Sequence, residues 1–129
     1  MTTASTSTAD ANKRLVLQAA QELFGNLDLT ALDRYWGDSY IQHNPLYPDG
    51  KEQIRALIQG AIDSGVPTKA EVKRVVAEGD LVWIHAKSFF FGKELATVEI
   101  FRVENGKIVE HWDVIQEVPA ESANSNTMF

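Results

Sequence analysis

Residues 99–114 read Glu99-Ile100-Phe101-Arg102-Val103-Glu104-Asn105-Gly106-Lys107-Ile108-Val109-Glu110-His111-Trp112-Asp113-Val114. Two runs rich in β-branched and aromatic residues flank Asn105-Gly106, a dipeptide suited to the positive φ angles of a tight turn, so the stretch predicts an antiparallel hairpin. Working outward, the same chemistry holds from about residue 70 onward, broken at Gly79-Asp80 and Gly92-Lys93. Four strands in meander order follow, at about 70–78, 81–91, 95–104 and 107–117, with Pro119 closing the last.

Upstream the period changes to that of helices. Val16, Ala19, Ala20, Leu23 and Phe24 fall on one helical face, with Asp10 as the expected N-cap and Gly25-Asn26 as the stop. A short helix is expected over about 30–36, capped by Thr30, with Leu29, Leu32, Tyr35 and Trp36 giving it an apolar side. Pro45 disfavours helix at Asn44, so Tyr40-Ile41-Gln42-His43-Asn44-Pro45 is extended or a turn. Asp49-Gly50-Lys51-Glu52 matches a capping box and opens a helix over about 50–63, ended by Gly65-Val66-Pro67. Helices first and strands after predict an α+β fold: three N-terminal helices packed on a curved four-stranded antiparallel meander sheet. Residues 1–9 read as a flexible lead-in, 10–118 as a single domain and 119–129 as a C-terminal tail.

A chain of 129 residues suits one domain. Eighteen Asp+Glu against twelve Lys+Arg give a net charge of −6, which argues against nucleic acid and an anionic membrane surface as partners. The absence of cysteine removes thiolate nucleophiles and cysteine metal sites and is compatible with the cytoplasm. No phosphate-binding glycine loop, nucleophile elbow or zinc-protease helix is present, and no histidine spacing specifies a metal. Proton transfer by carboxylate and imidazole, with neither cofactor nor metal, is the chemistry these residues can support.

Two registers are open to the hairpin. A two-residue turn pairs Glu104 with Lys107 and separates Glu99 from His111. A three-residue loop pairs Val103 with Lys107, placing Glu99 opposite His111 and Thr97 opposite Asp113. The second is favoured because it gathers Glu99, His111 and Asp113 on one face with Phe101 and Val109. The other face then carries Val98, Ile100, Arg102, Ile108, Glu110, Trp112 and Val114. Glu, His and Asp on adjacent strands also describe a solvated face with cross-strand ion pairs. His43 lies where a side chain can enter a cleft or bond its own turn. His85 sits in the middle of the strand expected over 81–91, on the face with Leu81, Trp83, Lys87 and Phe89. That face suits the surface or a subunit interface at least as well as a ligand.

Residues 40–45, Glu78-Gly79-Asp80-Leu81-Val82 and the stretch 99–114 together resemble the SnoaL-like polyketide cyclases of the nuclear-transport-factor-2-like superfamily. The tail Ala123-Asn124-Ser125-Asn126-Thr127-Met128-Phe129 is similar to tails in that group, so the resemblance covers about residues 10–129. It implies a cone-like barrel with an apolar pocket between sheet and helices, and a homodimer through the sheet. It also implies an acid that serves as general acid/base in an aldol ring closure without cofactor. That acid falls on Asp113. The corresponding position in the preceding strand falls on Glu99, where relatives often carry Asp or His.

The expected function is therefore a cofactor-independent acid/base enzyme acting on a small apolar carbonyl compound, as an aldol-type cyclase or isomerase. Asp113, His111, Glu99 and His43 are the expected catalytic residues, with Tyr40, Asn44, Trp36, His85 and Phe101 touching the substrate. The alternatives are a non-catalytic ligand-binding or dimerising module, and an epoxide hydrolase or dehydratase. An epoxide hydrolase of this kind calls for an arginine between two acids, and Arg102 is expected on the wrong face.

Overall fold

The computed structural model describes residues 4–129. The apolar stripe expected in the first helix is buried: Val16, Ala19 and Leu23 are fully enclosed. This helix, α1, spans Ala4–Ala20 and widens into a π-helical turn over Gln21–Gly25. Asp10 lies inside α1 instead of capping it. Of the expected lead-in, residues 4–9 are helical and 1–3 lie outside the described residues. Helix α2 (Ala31–Tyr35) is set by Asp28, which accepts from the Thr30 N–H at 3.0 Å and the Thr30 hydroxyl at 2.6 Å. Thr30 itself makes no side-chain cap. Helix α3 (Glu52–Ser64) buries Ile54, Ile58 and Ala61 and ends at Gly65, whose φ of 67° suits glycine. The expected capping box is absent, because Asp49 accepts from the Gln42 N–H at 2.9 Å. No helix among the described residues is long and apolar enough to cross a membrane.

The sheet has five strands where the sequence predicts four. The added strand, β1 (Trp36–Gln42), precedes β2 (Lys69–Glu78), β3 (Leu81–Phe90), β4 (Lys93–Glu104) and β5 (Lys107–Glu117), and the order across the sheet is β1-β5-β4-β3-β2. β1 runs parallel to β5, pairing Trp36 with Ile108 and Gln42 with His111 around an irregularity. Its Gly37-Asp38-Ser39 segment has poor strand propensity, and parallel edge pairing leaves no turn signal, so local sequence does not announce it.

The β4–β5 hairpin adopts neither predicted register along its whole length. Asn105 and Gly106 have φ of 51° and 73°, the two-residue turn, and Glu104 pairs with Lys107. Then Val103 pairs with Ile108 but Arg102 with Glu110, so Val109 is an extra, bulged residue. Beyond the bulge Phe101 faces His111 and Glu99 faces Asp113. The turn alone would have separated Glu99 from His111; the bulge reverses that separation. The two-residue turn, by pairing Ile108 with Val103, carries Ile108, expected outside, into the core, where it is fully buried. Gly37 makes room for the bulge, since a Cβ there would lie 3.2 Å from Val109 Cγ1.

The core lies between the helices and the concave side of the sheet, where Trp36 and Ile58 meet Val82, Ile84, Phe101, Val103 and Ile108. The tail crosses the outer side. Phe129 stacks on His85 with ring centroids 6.1 Å apart, and Arg74 Nη2 donates to its backbone oxygen at 3.3 Å.

Candidate active site

Above this core the layers part to leave a cavity of about 270 Å³. Its walls are mostly apolar, from Phe24 at the end of α1, Leu57 on α3 and Ile84, Phe90 and Leu95 on the sheet. One corner is polar, formed by Glu99, His111 and Asp113 on β4 and β5 with Tyr40, Gln42 and Asn44 from β1 and its continuation. Strand alternation explains the second set: Tyr40, Gln42 and Asn44 point inward, and Ile41 and His43 between them point out.

His111 Nε2 lies 2.7 Å from Glu99 Oε1 and 3.8 Å from Asp113 Oδ2. The His111 and Asp113 side chains are only 8% and 10% exposed, so little water competes for these contacts. On its other side His111 Nδ1 meets Gln42 Oε1 at 2.8 Å. The Asn44 amide Nδ2 donates to both oxygens of Asp113 at 3.0 Å. Phe101 packs on the His111 ring at 4.8 Å between centroids and closes the apolar side of the corner. Burial foremost, and then the charges of Glu99 and Asp113, push the Tyr40 phenol well above its ordinary range despite the opposing Trp36 side chain. Tyr47 is raised by burial and by Asp113. Both hydroxyls therefore stay protonated and are available as donors at neutral pH.

The structure thus brings together Glu99, His111, Asp113, Tyr40, Asn44 and Phe101 of the residues singled out from sequence. Three others lie elsewhere. His43 faces the outer side, where its Nε2 meets Glu110 at 2.8 Å and its ring stacks on Trp112 at 4.6 Å, because it has the opposite strand parity from Asn44. His85 is also on the outer side, with Nδ1 3.0 Å from Arg74 Nη1, because it alternates with the buried Ile84 and Ala86. Trp36 is 2% exposed in the core beneath the cavity and does not line it. Arg102 bonds Glu110 at 2.7 Å on the outer side, as its predicted face requires. Gln42, like Tyr47, is a site residue that the sequence reading does not single out. Its parity with Tyr40 and Asn44 is the available signal, hidden because residues 36–42 carry no local mark of a strand.

One potential donor atom from each of Glu99, His111 and Asp113 lies within 4.8 Å of the others. A cation could use that spacing, but spacing alone does not make them a ligand set. Here the imidazole bonds directly to Glu99, and Asn44 bonds to both oxygens of Asp113.

A family model described as a SnoaL-like domain matches residues 17–111. Among solved structures, the chain is similar to AclR, a proposed hydroxylase from Streptomyces galilaeus, at 24% identity over 84% of this chain and 90% of that one, with a TM-score of 0.69. IdmH, a proposed polyketide cyclase from Streptomyces antibioticus, is 22% identical over 81% of this chain and 91% of that one, with a TM-score of 0.65. An LEH-like epoxide hydrolase of M. tuberculosis is 18% identical over 84% of this chain and 85% of that one, with a TM-score of 0.67. At these identities the likeness is one of fold. No curated protein matches the chain.

Proposed function

This chain belongs to the SnoaL-like domain family, and from that premise we propose that it is a cofactor-independent acid/base enzyme for a small apolar carbonyl compound, of the aldol-cyclase or isomerase type. The observation that carries the reading is the gathering of Glu99, His111 and Asp113 in one corner of a largely apolar cavity. Apolar walls orient a substrate by shape, and a few convergent polar groups fix its reacting end.

The roles divide by hydrogen-bond polarity. An amide N–H₂ only donates, and a carboxylate is the form of Asp113 that accepts on both oxygens. Each of those oxygens keeps a lone pair for a proton taken from the carbon next to a substrate carbonyl. The electron pair left on that carbon moves onto the carbonyl oxygen as an enolate. Tyr40 and the His111–Glu99 pair lie on the same polar wall and supply donors for that oxygen. In a cyclase the enolate carbon then attacks a second carbonyl, and the alkoxide that forms takes the proton back from Asp113; in an isomerase Asp113 returns the proton to another carbon. Both outcomes return Asp113 to its starting form.

The test requires no known natural substrate. The protein is incubated in D₂O with a panel of small cyclic ketones and lactones, and loss of the α-hydrogen signal is followed by NMR. Exchange above the buffer rate, abolished in Asp113→Asn, supports the reading. Ligands that bind without exchange would move the chain to a non-catalytic binding module. A second reading is epoxide hydrolysis, favoured by His111 standing between two carboxylates where that chemistry uses a cation. Diol formation from small cyclic epoxides distinguishes it. We also propose a homodimer through the outer sheet, because Val76, Trp83 and Val114 are 65%, 46% and 69% exposed there.

A further inference from the structure

We infer that Gln42 is a positioning residue that fixes a hydrogen on His111 Nδ1 and so makes the His111–Glu99 pair hold a second proton, between Nε2 and the Glu99 carboxyl. Its catalytic consequence rests on the acid/base reading above; the proton's location is a property of the free protein.

The two ends of a glutamine amide have the same shape, but here the backbone tells them apart. The Asn44 N–H donates to Gln42 Oε1 at 3.1 Å, so the atom at that place is the oxygen. The same oxygen is 2.8 Å from His111 Nδ1. A carbonyl oxygen can only accept, so the hydrogen of that bond is on Nδ1. At the far side of the ring, 2.7 Å separates Nε2 from Glu99 Oε1. With Nδ1 already protonated, the neutral ring has a bare Nε2, and a bare Nε2 facing an ionised Glu99 would set two lone pairs against each other. The short contact therefore holds one hydrogen, carried as imidazolium with carboxylate or as imidazole with carboxylic acid.

Asn44 repeats the device with the opposite sign. The Leu46 N–H donates to Asn44 Oδ1 at 2.9 Å, which turns Nδ2 toward Asp113. One turn thus presents an acceptor to His111 and a donor to Asp113. It sets a proton-bearing pair beside a proton-accepting group, with Nε2 and Oδ2 3.8 Å apart. The titratable groups facing His111 are Glu99 from β4, Asp113 from β5 and Tyr40 from β1. Without Gln42, the neutral ring would move its hydrogen to Nε2 and satisfy an ionised Glu99 with it, so the pair would hold one proton instead of two.

The experiment is long-range ¹H–¹⁵N NMR of the free protein at pH 9, with His43 and His85 as internal references, in wild type, Gln42→Leu and Gln42→Glu. Wild type is expected to show a protonated Nδ1. Gln42→Leu should show a bare Nδ1 and a protonated Nε2. Gln42→Glu still accepts from both the Asn44 N–H and Nδ1, and should retain the wild-type pattern. In the ketone exchange assay Gln42→Leu should lose about 10- to 100-fold in kcat with KM within about twofold, and Gln42→Glu should recover most of that loss. A bare Nδ1 in wild type, or a protonated Nδ1 in Gln42→Leu, overturns the inference. Should Gln42→Leu not fold, the wild-type and Gln42→Glu spectra decide, and a bare Nδ1 in either overturns it. If the spectra behave as stated and no ketone exchanges, the proton assignment stands and the acid/base reading fails.

Discussion

Exchanging Asn44 and Asp113 separates what the buried carboxylate does for the fold from what it does for chemistry. From sequence alone, Asp113→Asn removes a poorly solvated charge and is expected to hold or raise Tm. The Asn44 amide reverses that sign. With asparagine at 113, two amides face each other, and one neutral hydrogen bond replaces the donation now made to two carboxylate oxygens at 3.0 Å. Bonds to charged groups contribute about 1.5–3 kcal/mol and neutral ones about 0.5–1.5 kcal/mol. Removing the charge from a side chain only 10% exposed offsets part of the difference. The net loss expected is about 1–2 kcal/mol, or roughly 3–8 °C in Tm for a domain of this size. Asn44→Asp alone is worse. Two charges at the 3.0 Å now separating Asn44 from Asp113 repel by about 5.5 kcal/mol at an effective dielectric constant of about 20, so the pair takes up a proton instead. In the double variant, Asn44→Asp with Asp113→Asn, the amide sits on β5 and donates to the carboxylate that has moved to the turn. The Leu46 N–H still finds a carboxylate oxygen. Its Tm should return to within about 2 °C of wild type, while exchange activity stays about 10²–10⁴-fold down because the base has left β5. Differential scanning fluorimetry and the ketone exchange assay read the two effects. Additive Tm losses in the double variant would refute the contact, and an active double variant would refute Asp113 as the base.

Three other outcomes follow from the same geometry. Hydrogen bonds from His43 and then Arg102 hold the Glu110 carboxyl below its ordinary 4.5, so its stabilising effect is present above that value and lost as pH falls through the lower folded one. Urea unfolding should therefore show a steeper loss as pH falls below 4.5 in wild type than in Glu110→Gln; parallel curves would contradict it. Gly37→Ala sets a Cβ 3.2 Å from Val109 Cγ1 and should cost about 1–3 kcal/mol in chemical denaturation, partly recovered by adding Val109→Ala. Sedimentation equilibrium at micromolar concentration should give twice the 14.4 kDa chain mass for wild type and the single mass for Val76→Asp/Trp83→Lys; a monomeric wild type would exclude the dimer.

Much of the architecture is written in local periodicities. The stripe of α1, the face of α3 and the four antiparallel strands each follow from the spacing of apolar residues and from turn dipeptides such as Asn105-Gly106. What local reading misses depends on partners distant in sequence. β1 exists because Trp36 and Gln42 pair with β5, about 70 residues away. Asp49 resembles a cap but is taken by the Gln42 N–H, a competition no local motif records. Glu99, His111 and Asp113 do share a face, as the favoured register requires, but through a two-residue turn and a bulge instead of a three-residue loop. Strand parity decides the placement of His43 and His85. For His85 that parity is legible, since Ile84 and Ala86 are plainly core; for His43 it is hidden with the strand itself.

The bulge at Val109 turns the inside of the last strand into a matter of counting. A point substitution between Lys107 and His111 alters one side chain. Deleting Val109 leaves Ile108 opposite Val103 and Glu110 opposite Arg102, so His111, Asp113 and Ile115 stay inside, whereas keeping all residues and flattening the bulge into a regular ladder would turn those three outward and bring Glu110, Trp112 and Val114 inward. In a lineage of this chain, loss of the bulged residue at 109 should therefore be tolerated, while single-residue deletions between His111 and Ile115 should be purged. A library that samples single-residue deletions along the chain would reveal this as a tolerated loss at 109 beside intolerant ones further along β5, a pattern that no substitution scan can display.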